Sequence, residues 1–268
     1  MKLQKSILGV LASAFLSSAG CGESSGNGTG TAGSSGGGSG GAAGASGGGS
    51  GGGTTGAGGT AGASGTAGET GVGGVAGGGG ASASPMMSFL VTSETSTTAN
   101  LGGLTAADAR CQRLAAAVGH GSKTWRAYLS VENPATNARD RIGNGPYYNS
   151  AGAMLAADKD ALHARSGDAA LFIDERGNRI NGQWQGSPSP VQHDILTGST
   201  ATGMLMAGNT CADWTATTGM SLVGHSDGLG PGMNSAPPYN QWAGSHEGEC
   251  GDTAARGGSG RTYCFVAP

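Results

Sequence analysis

Two short stretches of the 268-residue chain carry residue types that could do chemistry. His246-Glu247-Gly248-Glu249-Cys250 gathers an imidazole and two carboxylates within five residues. Carboxylates suit Ca²⁺ and imidazole suits Zn²⁺, so a divalent cation held there with His225 or Asp227 is the chemistry this grouping offers. The plainer reading is a solvated acidic loop beside a disulfide. No CxxC or HxxxH spacing occurs, so no metal ligand set and no cofactor are expected. The second stretch, Gly224-His225-Ser226-Asp227-Gly228, has the G-x-S-x-G form of a hydrolase nucleophile elbow. That motif needs a strand before the Ser and a helix after it. Met220 to Val223 supplies the strand, but Leu229-Gly230-Pro231-Gly232 through Pro237-Pro238 cannot form the helix. His246 is the only downstream His, and a Gly-rich chain matches the pattern easily by chance. No catalytic residue is expected, and the chain is read as a non-enzyme.

Among the aromatic residues, Trp125, Trp184 and Trp214 read as core. Trp242, in the loop Tyr239-Asn240-Gln241-Trp242 that follows Pro237-Pro238, is the one placed to face a ligand. Arg110, Arg113, Arg126, Arg139 and Arg141 form a basic run interrupted by Asp108, Glu132 and Asp140. The whole chain holds 14 Lys and Arg against 17 Asp and Glu, a net charge of −3. With no strong positive field, surface ion pairing is the expected use of these arginines and nucleic acid is not an expected partner.

These residues must be positioned by a domain confined to the C-terminal part of the chain. Of the 57 Gly, 30 fall in the 65 residues from Cys21 to Pro85, among Ala, Ser and Thr, with no aromatic residue and only two Val. Such a segment has nothing to offset roughly 1–2 kcal/mol of backbone entropy per residue, so residues 21–85 are expected to be a disordered linker. Collagen is excluded, because the Gly residues follow no three-residue period and Pro is absent before Pro85. As a flexible coil the linker would span about 45 Å root-mean-square.

Ahead of it, Lys2 and Lys5 precede an apolar run from Ser6 to Ala19. About fourteen residues are too few to span a bilayer and fit a signal peptide over residues 1–20. The run ends Leu16-Ser17-Ser18-Ala19-Gly20-Cys21. Small residues directly before a Cys resemble the lipobox of bacterial lipoproteins, although Ser18 stands where the family prefers Leu. The resemblance implies that Cys21 is lipidated and becomes the mature N-terminus. Gly22, in place of Asp, implies the outer membrane of the bacterial envelope. Of the five Cys, Cys111, Cys211, Cys250 and Cys264 remain. Four cysteines allow three pairings, and an exported location favours disulfides.

From Met86 onward, Phe89-Leu90-Val91-Thr92 reads as a first strand. Thr105 as cap, Asp108 at the third capping-box position and Gly119 as stop frame a helix. Ala107, Cys111, Leu114 and Val118 form its buried face. Trp125, Ala127 and Leu129 alternate with Arg126 and Tyr128 as a half-buried strand. Leu155 to His163 is a short helix in an irregular region. Leu171-Phe172-Ile173 is a strand that turns at Asp174 to Asn178. Beyond Trp184 the pattern predicts long loops, closed by a terminal strand over Tyr263-Cys264-Phe265-Val266.

Helix early, short strands, a long loop region and a last strand carrying Cys resemble the C-type lectin-like fold, in particular its endostatin branch and bacterial relatives of unassigned function. The resemblance rests on Ala107-Asp108-Ala109-Arg110-Cys111-Gln112 with Ala117-Val118-Gly119 and on Trp125-Arg126-Ala127-Tyr128-Leu129-Ser130. It continues through Leu171-Phe172-Ile173-Asp174, Thr197-Gly198-Ser199, Thr210-Cys211-Ala212-Asp213-Trp214-Thr215 and Tyr263-Cys264-Phe265. It implies an α+β domain over residues 86–268 with one main helix, short strands and long loops. It also implies nested disulfides, Cys111 with Cys264 and Cys211 with Cys250. The Glu-Pro-Asn, Gln-Pro-Asp and Trp-Asn-Asp signatures of the calcium-dependent sugar binders are absent. Glu132-Asn133-Pro134 has another order. The N-terminal His-rich zinc site of vertebrate endostatin has no counterpart, since no His precedes His120.

The expected protein is therefore a surface-exposed lipoprotein, held to the membrane by its lipid and displaying a non-catalytic module for a glycan or extracellular protein. Trp242, His246, Glu247, Glu249 and Asp227 are the candidate contact residues. A structural envelope or matrix component is the alternative, and a hydrolase using Ser226 stands third.

Overall fold

The computed structural model describes residues 83–268. The expected signal peptide, Cys21 and nearly all of the expected linker lie outside the described residues. What is described is a mixed α+β domain, richer in strands than in helices. Its main sheet runs in the order β1 (Phe89–Val91), β10 (Gly258–Val266), β7 (Asp194–Leu196), β8 (Met220–His225), β9 (His246–Glu249). β2 (Trp125–Ala127) also pairs with β10. Two small hairpins stand apart, β3 (Val131–Glu132) with β4 (Ala135–Thr136) and β5 (Tyr147–Tyr148) with β6 (Met154–Ala156). Among the described residues no helix is long and apolar enough to cross a membrane.

Around β1, β2 and β10 the sheet is buried on both faces, and strand alternation divides the core accordingly. Leu90 and Cys264 face one side, where they meet Ala107, Cys111 and Ala115 of α1 (Gly103–Ala117) and the rings of Trp125 and Trp214. Phe89, Val91, Tyr263 and Phe265 face the other side and pack with Tyr128, Phe172 and Trp242. Cys111 is bonded to Cys264, tying the first helix to the last strand across 153 residues, and Cys211 is bonded to Cys250. This is the nested pairing that the resemblance implies.

Several expectations need correction. The helix starts at Gly103 after a left-handed Gly102 (φ 78°), not at a Thr105 cap. Asp108 does not reach back to the helix start. Its carboxylate accepts from the Ala127 amide and pairs with Arg141, so it ties α1 to β2 instead. Gly119 does end the helix, at φ 91°. Tyr128 points inward because β2 ends at Ala127 and the alternation stops there. Leu155 lies in β6, and the short helix α2 occupies only Lys159–Ala164. Leu171-Phe172-Ile173 is a turn held by the Asp168 carbonyl, with single bridges at Ile173 and Asp174, because a short apolar run signals burial rather than strand. Trp184 is half-buried beneath Arg179 rather than core. The expected loop region instead contains β7, β8 and β9.

Two local features follow from composition. Arg110 and Arg113 pair with Glu94, Arg139 with Asp160 and Arg141 with Asp108, so four of the five arginines in the basic run are spent on ion pairs. The short helical segment α3 (Cys211–Trp214) has all four residues at positive φ, between 49° and 67°. A left-handed turn of L-residues costs roughly 1–2 kcal/mol per residue. It is held by the Cys211 disulfide, by Asp213 accepting from the Glu132 and Asn133 amides, and by the Trp214 indole N–H on the Ser130 carbonyl.

Candidate metal centre

The ends of β7, β8 and β9 bring three histidines and an aspartate together. In the antiparallel register Asp194 lies opposite His225 and Val223 lies opposite His246, so Asp194, His225 and His246 project from one sheet face. His193, immediately before β7, joins them. Its Nε2 and that of His225 lie 3.4 and 3.3 Å from Asp194 Oδ1, and His246 Nε2 lies 3.4 Å from Asp194 Oδ2. The His193 and His225 rings are stacked, with centroids 4.3 Å apart. His193, Asp194 and His225 are buried, and each offers a ligand atom within 4.8 Å of the other two. The His246 side chain is 28% exposed and stands at the opening.

The opposite edge of each ring fixes which nitrogen carries hydrogen. His193 Nδ1 is 2.7 Å from Asp227 Oδ1, and the Asp227 carboxylate also accepts from the Gln183 and Leu229 amides. His225 Nδ1 donates to the Tyr239 carbonyl at 2.9 Å and His246 Nδ1 to the Glu247 carbonyl at 2.9 Å. A carbonyl can only accept, and Asp227 already accepts two amides, so the hydrogen of each neutral imidazole belongs on Nδ1. Three Nε2 lone pairs therefore face one carboxylate. Asp194 Oδ1 and His225 Nε2 are buried and make no hydrogen bond. Lone pair against lone pair is a conflict that a cation relieves. A proton is the smallest such cation. Burial pushes the Asp194 carboxyl up, but protons on the facing His225 and His246 Nε2 atoms, which then donate to it, more than offset this and hold it below the ordinary range. Contact with Asp194 raises the His246 imidazole above its usual value, with burial opposing.

No known family profile matches this chain, and no curated protein matches it. The site stands on its own chemistry. It floors an open cleft of about 370 Å³ lined by His193, His225, His246, Gln183, Tyr239 and Arg256. Gly182 is required beside it, since a Cβ there would collide with the Asp227 carboxylate.

Of the residues singled out in the sequence, His246 and Asp227 reach this centre, Asp227 as the acceptor behind His193. Glu247 and Glu249 alternate with His246 along β9 and take other partners, Asn209 and Arg256, so the first four residues of the pentad form a strand rather than a loop. Trp242 does not face a ligand. It is fully buried, its indole N–H bonded to the Leu162 carbonyl and its ring packed on Tyr128, Phe172 and Tyr263. The Ser226 hydroxyl is 1% exposed as a residue, has no hydrogen-bonding partner and is followed by a turn rather than a helix. His193 and Asp194 escaped the sequence reading, although three of the five His of the chain fall between 193 and 246 and His193-Asp194 leads directly into the apolar Ile195-Leu196.

Proposed function

We propose that this is an exported bacterial lipoprotein, anchored in the outer membrane through Cys21 and displaying a non-catalytic C-type lectin-like domain of the endostatin type on a long spacer. The domain recognises a glycan or an extracellular protein. The observation that carries the binding role is the open cleft at the ends of β7, β8 and β9, into which polar groups from several segments converge. Concave sites with a few convergent polar groups are where ligands bind. The nested disulfides and the order from first helix to last strand support the fold assignment.

Purified full-length chain, applied to a broad glycan array and to a panel of immobilised extracellular matrix proteins, tests the reading. Saturable binding that Arg256→Ala or Tyr239→Ala weakens is expected. Absence of binding on both panels would favour an envelope component without a discrete ligand. Palmitate labelling that a Cys21→Ser variant loses is the expected mark of the anchor.

A further inference from the structure

We infer that the cluster at the ends of β7, β8 and β9 is a binding site for a divalent transition metal of the zinc class, held by His193 Nε2, His225 Nε2 and the Asp194 carboxylate, with His246 Nε2 at the cleft side as the fourth ligand. This goes beyond the recognition role, which needs no metal.

Four observations converge. The first is the spacing. Charge-assisted hydrogen bonds between imidazole and carboxylate are about 2.7–2.9 Å long, whereas His193 and His225 Nε2 lie 3.4 and 3.3 Å from their shared Asp194 Oδ1, and His246 Nε2 lies 3.4 Å from Oδ2. Zinc bonds of about 2.0–2.2 Å in a tetrahedron set ligand atoms roughly 3.3–3.5 Å apart. The second is the orphaned pair, Asp194 Oδ1 and His225 Nε2, buried with no hydrogen-bonding partner. The third is that every ring has its Nδ1 engaged by an acceptor, which turns each Nε2 lone pair inward. Metal-ligating histidines carry such outer partners as a rule, and the Asp227–His193 contact has the carboxylate–histidine form. The fourth is the donor set, in which three imidazoles and one carboxylate suit zinc, copper or nickel and disfavour calcium and magnesium.

His193, Asp194 and His225 form the compact set, and His246 is the half-open member beside the cleft. His246 is therefore the ligand that an entering group would displace, and through it the cleft ligand gains a direct bond to the metal.

The test uses the full-length chain, purified without reductant, stripped with chelator and dialysed. Binding of ZnCl₂ and of CaCl₂ is followed by titration calorimetry and by elemental analysis after gel filtration. CoCl₂ loading is followed by visible absorption. One zinc per chain, no calcium, and the intense visible bands of four-coordinate cobalt are expected. His225→Ala and His193→Ala should each weaken zinc binding at least 100-fold, and His246→Ala by less while keeping the stoichiometry. His163→Ala, outside the cluster, should bind as the parent does. Far-ultraviolet circular dichroism and a free-thiol assay establish that each variant is folded with both disulfides intact. A folded parent that takes up no zinc, or folded His193 and His225 variants that bind zinc as tightly as the parent, would overturn the assignment. Because the metal is measured without any glycan or protein ligand, the outcome is independent of the recognition assays.

Discussion

His193 Nδ1 and Asp227 Oδ1 lie 2.7 Å apart in a buried pair, and Asp227 accepts two backbone amides on its other lone pairs. Three hydrogen bonds thus hold the carboxylate in place, and it orients the ring that presents Nε2 to Asp194. Loss of such an outer partner typically costs 10–100-fold in metal affinity. Asp227→Asn is expected to weaken zinc binding within that range while leaving one site per chain, measured by competition with a zinc-sensitive dye. Unchanged affinity would mean that Asp227 serves only the loop it caps.

The two disulfides should differ in what their removal does. On the loop-entropy account, closing 153 residues is worth about 5 kcal/mol and closing 39 about 4 kcal/mol. The inner bond, however, also fastens the left-handed turn of α3, whose strain is released when the bond is absent. Urea unfolding should therefore show Cys111→Ala/Cys264→Ala losing the larger share and Cys211→Ala/Cys250→Ala losing clearly less than 4 kcal/mol. Equal midpoints for the two double variants would contradict this.

Trp242 links Tyr128, Phe172, Tyr263 and the α2 carbonyl of Leu162. Truncating a buried aromatic of this size costs about 3–5 kcal/mol. Trp242→Ala is expected to lower the thermal midpoint sharply, whereas Trp184→Ala, at a half-buried ring, should shift it little. A Trp242 variant as stable as the parent would return that residue to the list of ligand contacts.

His163 gives a pH dependence of known sign. Its Nδ1 lies 2.7 Å from the Lys159 carbonyl and its Nε2 2.7 Å from the Tyr128 hydroxyl, so it is held neutral as donor and acceptor. Burial lowers its pKa, with the Lys159 carbonyl opposing. An imidazole with a depressed folded value takes up its proton first in the unfolded chain. Its contribution is thus intact above the unfolded value of about 6.5 and is lost as pH falls through that value toward the folded one. Urea midpoints of chelator-treated protein between pH 7.5 and 5 should fall more steeply for the parent than for His163→Gln. Parallel curves would refute the assignment.

The parts of this molecule that were legible in sequence are those whose signal is local. Phe89 to Val91, the stripe Ala107-Cys111-Leu114 and Tyr263 to Val266 announce their elements within a few residues, and the structure places them there. β9 carries no such signal. His246-Glu247-Gly248-Glu249 is polar throughout and becomes a strand only because β8 offers it a ladder. The centre was hidden for the same reason. Asp194, His225 and His246 are far apart in the chain, and only the register of β7, β8 and β9 makes them neighbours. Trp242 misled because a Pro-rich neighbourhood suggests a surface loop, while the ring itself turns into the aromatic layer.

Just ahead of β1, the Ser84 amide donates to the Ser150 carbonyl and the Ser88 amide to the Tyr148 carbonyl. β1 is one border of the main sheet and lies against β10, which Cys264 fastens to α1. β8 and β9 occupy the opposite border, two and three strands away from β10. A covalent fastener thus stands at each border of the sheet, Cys111–Cys264 beside β1 and β10 and Cys211–Cys250 at the end of β9. The histidine-lined cleft therefore lies on a sheet clamped at both margins, a preset socket rather than a hinge.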